Sequence, residues 1–209
     1  MTHQDPPVLD HAALVLIEFQ REWLDATGGM QPYIQDRVQF DAAVSHAVRV
    51  LQAARDAHLP VIHVGYDFEA GHPELGRVRY GLREILRTSG LFSGEGSQFA
   101  PDFAPRAGEF VARGRIGVSA FAGSNLDGFL RNNRIERLYL SGFALQTCVE
   151  STLRDAHDRG YEAVVVEDAT AAFTPEQREY VLDRVVPIFG ARVSAAALVA
   201  ALKQASRPV

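Results

Sequence analysis

The strongest constraint in this chain is an alternation: short apolar runs rich in β-branched residues, separated by segments whose apolar residues repeat with helical spacing. The runs are residues 12–18 (AALVLIE), 60–65 (PVIHVG), 109–112 (EFVA), 137–142 (RLYLSG), 162–167 (EAVVVE) and a short 192–194. Their apolar residues hardly alternate with polar ones, the pattern of strands covered on both faces. Between them, 38–57 places Val44, Val48, Leu51 and Ala54 on one stripe, and 147–159 does so with Val149, Leu153 and Ala156. Ser124 with Asp127, Thr147 with Glu150, and Thr174 with Gln177 read as N-terminal caps, with Pro175 where its missing N–H costs nothing.

Strands alternating with helices predict a mostly parallel, Rossmann-like six-stranded sheet in a three-layer α/β/α sandwich, with right-handed crossovers covering both faces. The 209 residues suit one domain that buries roughly 70% of its unfolded surface. Residues 1–11 form an N-terminal extension. Residues 66–108, with scattered Gly and Pro, read as an irregular excursion over the sheet edge that shapes a pocket or an oligomer contact.

Composition narrows the function classes. With 47% hydrophobic and 22% charged residues the chain is an ordinary globular protein, and a net charge of −5 argues against a nucleic-acid partner, which needs a concentrated basic face. No run approaches the ~18 apolar residues of a membrane span, and the start MTHQDPPVLDH lacks the layout of a signal peptide, so no membrane partner and a cytoplasmic location are expected. Gly90 to Gly96 follows no strand and contains no Lys-Ser/Thr, which excludes a phosphate loop.

In open α/β sheets ligands bind beyond the carboxyl ends of the strands, which selects Glu18 after the first, Arg115 after the third and Cys148 after the fourth. A single cysteine has no disulfide partner, so Cys148 is either a small buried hydrophobe or a nucleophile. With Thr147 as cap it would occupy the first helical position, where the helix dipole favours thiolate. Glu18 ends a wholly apolar strand and therefore needs a salt bridge, a helix to cap or a role as general base.

The chain resembles the isochorismatase-like cysteine hydrolases, a group that includes nicotinamidases, N-carbamoylsarcosine amidohydrolases and related amidases. Three ordered segments carry the resemblance, which runs from Ala12 to about Leu202. Leu16-Ile17-Glu18-Phe19-Gln20 is similar to the family's apolar-Ile-Asp-x-Gln motif. Arg115-x-x-x-Ser119-Ala120-Phe121, followed by Asn125-Leu126-Asp127, is similar to Lys-x-x-x-Ser-Ala-Phe. Gly142-x-Ala144-x-x-x-Cys148-Val149-Glu150-x-Thr152, continued by Asp155-Ala156, is similar to the nucleophile segment. The resemblance implies a triad of acid Glu18, cation Arg115 and nucleophile Cys148. It also implies a cis peptide between Phe143 and Ala144 that turns the N–H groups of Ala144 and Cys148 toward a substrate oxygen. It further implies a small-molecule substrate and a homodimer or homotetramer.

Two positions depart from the family pattern, which has Asp where Glu18 stands and Lys where Arg115 stands. Glu has nearly the intrinsic acidity of Asp, whereas Arg presents a planar fork and keeps its proton. Either both side chains lengthened together around a working ion pair, or the site is retired. The sequence therefore leaves three functions open: a cysteine amidohydrolase acting on a small carboxamide or carbamoyl C–N bond, an isochorismatase-type vinyl ether hydrolase that does not need the cysteine, and a non-catalytic binding protein.

Phe19, Gln20, Trp23, Ser119 and Phe121 are the expected substrate-binding residues. Several nicotinamidase-type relatives bind a metal through one Asp and two His. Here Asp67-Phe68-Glu69-Ala70-Gly71-His72 lacks the Asp-x-His start, so neither a metal nor another cofactor is expected. Arg79, Arg83 and Arg87 lie four apart and predict one helix face, which is a solvated stripe, a subunit contact or a dock for an anionic group.

Overall fold

All six apolar runs form strands of one parallel sheet. In the computed structural model, which describes residues 7–206, β1 (Ala12–Ile17), β2 (Val61–Val64), β3 (Phe110–Ala112), β4 (Arg137–Gly142), β5 (Glu162–Thr170) and β6 (Ala191–Val193) pair in the order β3-β2-β1-β4-β5-β6. Residues 1–6 of the expected extension lie outside the described residues. The helices are α1 (Arg21–Leu24), α2 (Arg37–Asp56), α3 (Gly81–Ser89), α4 (Leu126–Asn132), α5 (Glu150–Asp158), α6 (Pro175–Tyr180), α7 (Val186–Phe189) and α8 (Ala195–Ala205). None is long and apolar enough, among the described residues, to cross a membrane.

Crossovers leave the centre in opposite directions, β1 to β2 one way and β4 to β5 the other. Right-handedness then puts α2 and α5 on opposite faces. Helix α8 packs beside α2 on the first face and α7 beside α5 on the second, which explains why the strands are apolar on both sides. Leu14, Val15, Leu16 and Ile17 are fully buried, each contributing roughly 1.5–3 kcal/mol relative to exposure.

The reversal of crossover direction falls between β1 and β4, whose last residues, Ile17 and Gly142, stand opposite each other in register. Gly142 has φ +131°, and a Cβ there would lie 2.0 Å from the Ile17 carbonyl oxygen, so only glycine lets the strand ends approach this closely. This contact sets the segment after β4 against the residue after β1.

Helix starts depart from the sequence pattern. The Thr174–Gln177 capping box forms in both directions. Ser124 donates to the Ala120 carbonyl at 2.6 Å while its oxygen accepts from Leu126 N–H, the first residue of α4, at 3.2 Å; the other half of the box is missing because Asp127 pairs with Arg131. The Thr147–Glu150 box is also absent. The Ala144 carbonyl accepts the N–H groups of both Thr147 (3.0 Å) and Val149 (3.3 Å), opening a wide helical turn over Leu145–Val149 that precedes α5. The helical course begins at Leu145, and Cys148 is inside the turn rather than at its first position. In the 66–108 excursion, α3 carries Arg83 and Arg87 as exposed residues, while Arg79 precedes it.

Candidate active site

Glu18, Arg115 and Cys148 converge at the carboxyl ends of β1, β3 and β4, with 1%, 3% and 3% of their surfaces exposed. Glu18 leaves β1 with φ +61°, a left-handed conformation that costs a side-chain-bearing residue about 1–3 kcal/mol. The fully buried strand behind it and its own N–H, which donates to the Val64 carbonyl at 2.7 Å, hold it there. The carboxylate is gripped on two sides. Trp23 Nε1 donates to Oε2 at 3.0 Å, and Arg115 Nη1 lies 2.8 Å from Oε1. That last contact is out of line for a hydrogen bond, so Oε1 and Nη1 each keep unspent hydrogen-bonding capacity among the described residues.

Arg115 is fixed by its own loop. Its Nε donates to the Gly117 carbonyl at 3.0 Å, its Nη2 to the Val118 carbonyl at 2.5 Å, and its guanidinium lies 3.9 Å from the Tyr66 ring centroid. Asn125 closes the loop: its Oδ1 accepts from Arg113 N–H at 2.8 Å and its N–H donates to Arg113 O at 3.1 Å. Ser119 Oγ donates to Asp155 of α5 at 2.8 Å. The Thr152 hydroxyl donates to the Cys148 carbonyl at 2.7 Å while accepting from Ala120 N–H at 2.9 Å. The motif residues Ser119, Thr152 and Asp155 thus staple the arginine loop to the cysteine helix.

The Cys148 thiol faces polar groups. Burial pushes its pKa up to about 12, the Glu18 carboxylate adds to the rise, and the Arg115 cation opposes it. The direction is opposite to the thiolate expected from a helix N-terminus. Desolvation and a neighbouring anion outweigh a dipole that Cys148, inside the turn, does not cap. Burial, the largest single effect, lowers the Arg115 value, but Tyr66, Glu18 and Cys148 together outweigh it, so the guanidinium is raised above its ordinary value and stays charged.

The Phe143–Ala144 peptide bond is cis. Phe143 N–H donates to the Ile17 carbonyl at 3.1 Å and Leu145 N–H to Ala171 O at 2.8 Å, while the Ala144 N–H between them has no acceptor among the described residues.

The remaining site residues of the sequence pattern are largely occupied within the protein. Gln20 clamps three segments: Nε2 donates to the Tyr66 carbonyl at 2.6 Å and also to the Ser97 carbonyl, and Oε1 accepts from Tyr66 N–H at 3.0 Å. Phe19 is fully buried, stacked on Phe103 at 4.1 Å. Phe121 lies between the Tyr161 ring and the Arg159 guanidinium. Trp23 packs against Phe40, Phe143 and Phe173 and is the member of this set bonded to Glu18.

Asp67 faces Arg113 and Ser97, and His72 Nε2 meets the Leu91 carbonyl at 2.7 Å. No group of three His, Cys, Asp or Glu side chains suited to a metal exists among the described residues. The sequence motifs include Thr152 and Asp155 without giving them a role in the site, and Tyr66 lies outside them. Tyr66 follows β2 at the same sheet edge as the triad, and its hydroxyl lies 4.0 Å from Cys148 Sγ.

A parallel 3-2-1-4-5-6 sheet with an acid, a cation and a thiol gathered at its switch point is a doubly wound α/β fold with its candidate active site at the carboxyl ends of the strands. Residues 12–197 match the Isochorismatase domain. The ureidoacrylate amidohydrolase of Variovorax paradoxus (strain S110) is 31% identical over 78% of this chain and 71% of its own length. Two solved structures are also similar. An isochorismatase family protein from Burkholderia thailandensis has TM-score 0.76 and 26% identity, covering 95% of this chain and 100% of its own. The N-carbamoylsarcosine amidase of Thermoplasma acidophilum has TM-score 0.69 and 26% identity over 88% and 96%. The chain belongs to the isochorismatase family of hydrolases.

Proposed function

We propose that this hydrolase cleaves a small amide- or carbamoyl-type C–N bond through a thioester on Cys148. The observation that carries the reading is the buried Glu18–Arg115 pair, 2.8 Å apart, with an unspent acceptor and an unspent donor beside the thiol. The names of the ureidoacrylate amidohydrolase and N-carbamoylsarcosine amidase relatives support the bond class.

In this mechanism Glu18 takes the thiol proton, and the Cys148 sulfur forms a bond to the substrate carbonyl carbon as the π pair moves onto oxygen. The N–H groups of Ala144 and Cys148 hold that oxyanion. Collapse breaks the C–N bond, and the leaving amine takes its proton from Glu18. Water then loses a proton to Glu18 and attacks the thioester; the acid departs and the proton returns to sulfur. Arg115 keeps its proton throughout and balances the anion, which sits first on Glu18 and then on sulfur. No cofactor is required.

Intact-mass detection across a panel of small amides, ureides and esters tests the scheme. An acyl adduct on Cys148, absent from Cys148→Ala together with turnover, is expected. Turnover that persists in Cys148→Ala refutes it, and activity on a vinyl ether that survives Cys148→Ser points instead to chemistry that does not need the thiol.

A further inference from the structure

Tyr66 is the fourth polar group at the sulfur, and neither the family motifs nor the triad accounts for it. It is 2% exposed, and its hydroxyl donates to the Gly117 carbonyl at 3.0 Å while standing 4.0 Å from Cys148 Sγ. Its ring is the surface on which the Arg115 guanidinium rests, and it also lines a cavity of about 350 Å³ with Leu86, Ile116, Gly117 and Val118. One side chain therefore stands at the nucleophile and supports the cation.

We propose that Tyr66 is a further catalytic residue: its phenol turns its O–H from the Gly117 carbonyl to the Cys148 sulfur when the thiolate forms. The inference rests on Cys148 acting as nucleophile. No proton leaves the phenol. The S–H proton moves to Glu18, the O–H bond of Tyr66 stays intact, and the hydrogen bond changes acceptor. Gly117 O is not abandoned, because Arg115 Nε still donates to it at 3.0 Å. Burial holds the phenol well above its ordinary value, against the lowering effect of Arg115, so it remains a donor through the neutral range. The ionisable groups facing the sulfur are then Glu18 after β1, Tyr66 after β2 and Arg115 after β3.

Tyr66→Phe isolates the hydroxyl, since it keeps the ring beneath Arg115 and leaves no buried carbonyl without a donor. The probe is 4-nitrophenyl acetate, with acylation followed by nitrophenolate release from pH 6 to 9 and the adduct located by mass. The variant is expected to acylate about tenfold more slowly at each pH, a uniform drop on the scale of one hydrogen bond to an ion. Its melting temperature should match the parent's. Tyr66→Leu, which also removes the ring, should in addition melt lower. A purely structural tyrosine would shift melting and leave the acylation rate of the folded protein in place at every pH. A Tyr66→Phe profile that superimposes on the parent's, with the parent acylated on Cys148, overturns the role of Tyr66 alone. A parent that forms no Cys148 adduct overturns the nucleophile reading and this inference with it.

Discussion

Replacing Arg115 by Lys, the residue usual in the family pattern, keeps the charge and removes nearly everything that holds it. The arginine side chain is fully buried, and three contacts fix it besides Glu18: Nε to Gly117 O, Nη2 to Val118 O, and the guanidinium face on Tyr66. An ammonium that stays with Glu18 cannot also reach both carbonyls. Gly117 O retains the Tyr66 hydroxyl, but Val118 O, a partly buried acceptor, loses its Nη2 donor, which costs about 1–2 kcal/mol. The stacked cation is worth about 2 kcal/mol when desolvated. Together these predict a loss of roughly 3–4 kcal/mol, or a fall in Tm of roughly 6–16 °C for a chain of this size. Scanning calorimetry of parent and Arg115→Lys at neutral pH reads it directly. A double-mutant cycle with Glu18→Asp separates the ion-pair share, because the carbonyl and ring contacts do not touch residue 18. Melting within 2 °C of the parent, on the same roughly 2–4 °C per kcal/mol scale, would refute the argument that the loop carbonyls and Tyr66 hold this cation.

Two further predictions concern stability. Gly142→Ala places a methyl group 2.0 Å from the Ile17 carbonyl at φ +131°, so it should cost about 3 kcal/mol or more and give poorly soluble protein; normal yield and melting would show that β1 and β4 can part without damage. Glu109 is held at about 2 because Arg55, the Arg106 N–H and His63 together outweigh the raising effect of burial. A depressed folded-state carboxylate stabilises fully above its unfolded value of 4.5 and loses that contribution as pH falls toward 2, about 3 kcal/mol in all. His63, lowered chiefly by its burial, destabilises in the same direction once pH drops below 6.5. Urea unfolding of Glu109→Gln should therefore show a flatter acid limb between pH 4.5 and 2 than the parent; parallel limbs would refute it.

The sheet was legible because its central strands β1, β2 and β4 are buried on both faces and so write themselves as continuous apolar runs; β1 was expected over 12–18 and forms over Ala12–Ile17. Helix starts were less legible, because a hydroxyl at a cap position chooses among acceptors that only the folded loop supplies. Thr174 has Gln177 within reach and forms its box, whereas Ser124 caps Leu126 N–H while donating to the Ala120 carbonyl, and Asp127 turns to Arg131 instead of completing the box. Site residues followed the same division. The rule that active groups follow strand ends selected Glu18, Arg115 and Cys148, and applied to the second strand it would also have selected Tyr66, one residue beyond Gly65. Gln20 and Ser119 were read as facing a ligand, but their polar atoms are spent on Tyr66, Ser97 and Asp155, partners brought near by loops whose course no local pattern encodes.

The raised thiol of Cys148 and its proposed role as nucleophile are compatible once the proton's destination is considered. A pKa of about 12 measures the cost of sending that proton to solvent, which would leave Glu18 and the thiolate, two anions, sharing one buried cation. Moving the proton from sulfur to Glu18 creates no net charge: one anion and Arg115 remain, and the anion has changed places within the pocket. A neutral trio can make that exchange at far lower cost than ionisation, because the burial that penalises a second anion acts on neither end state. An isolated thiolate at a helix end would need exposure to be stable. Here the cysteine can stay buried, protonated and unreactive until a carbonyl carbon is placed beside it and the exchange is drawn forward by bond formation.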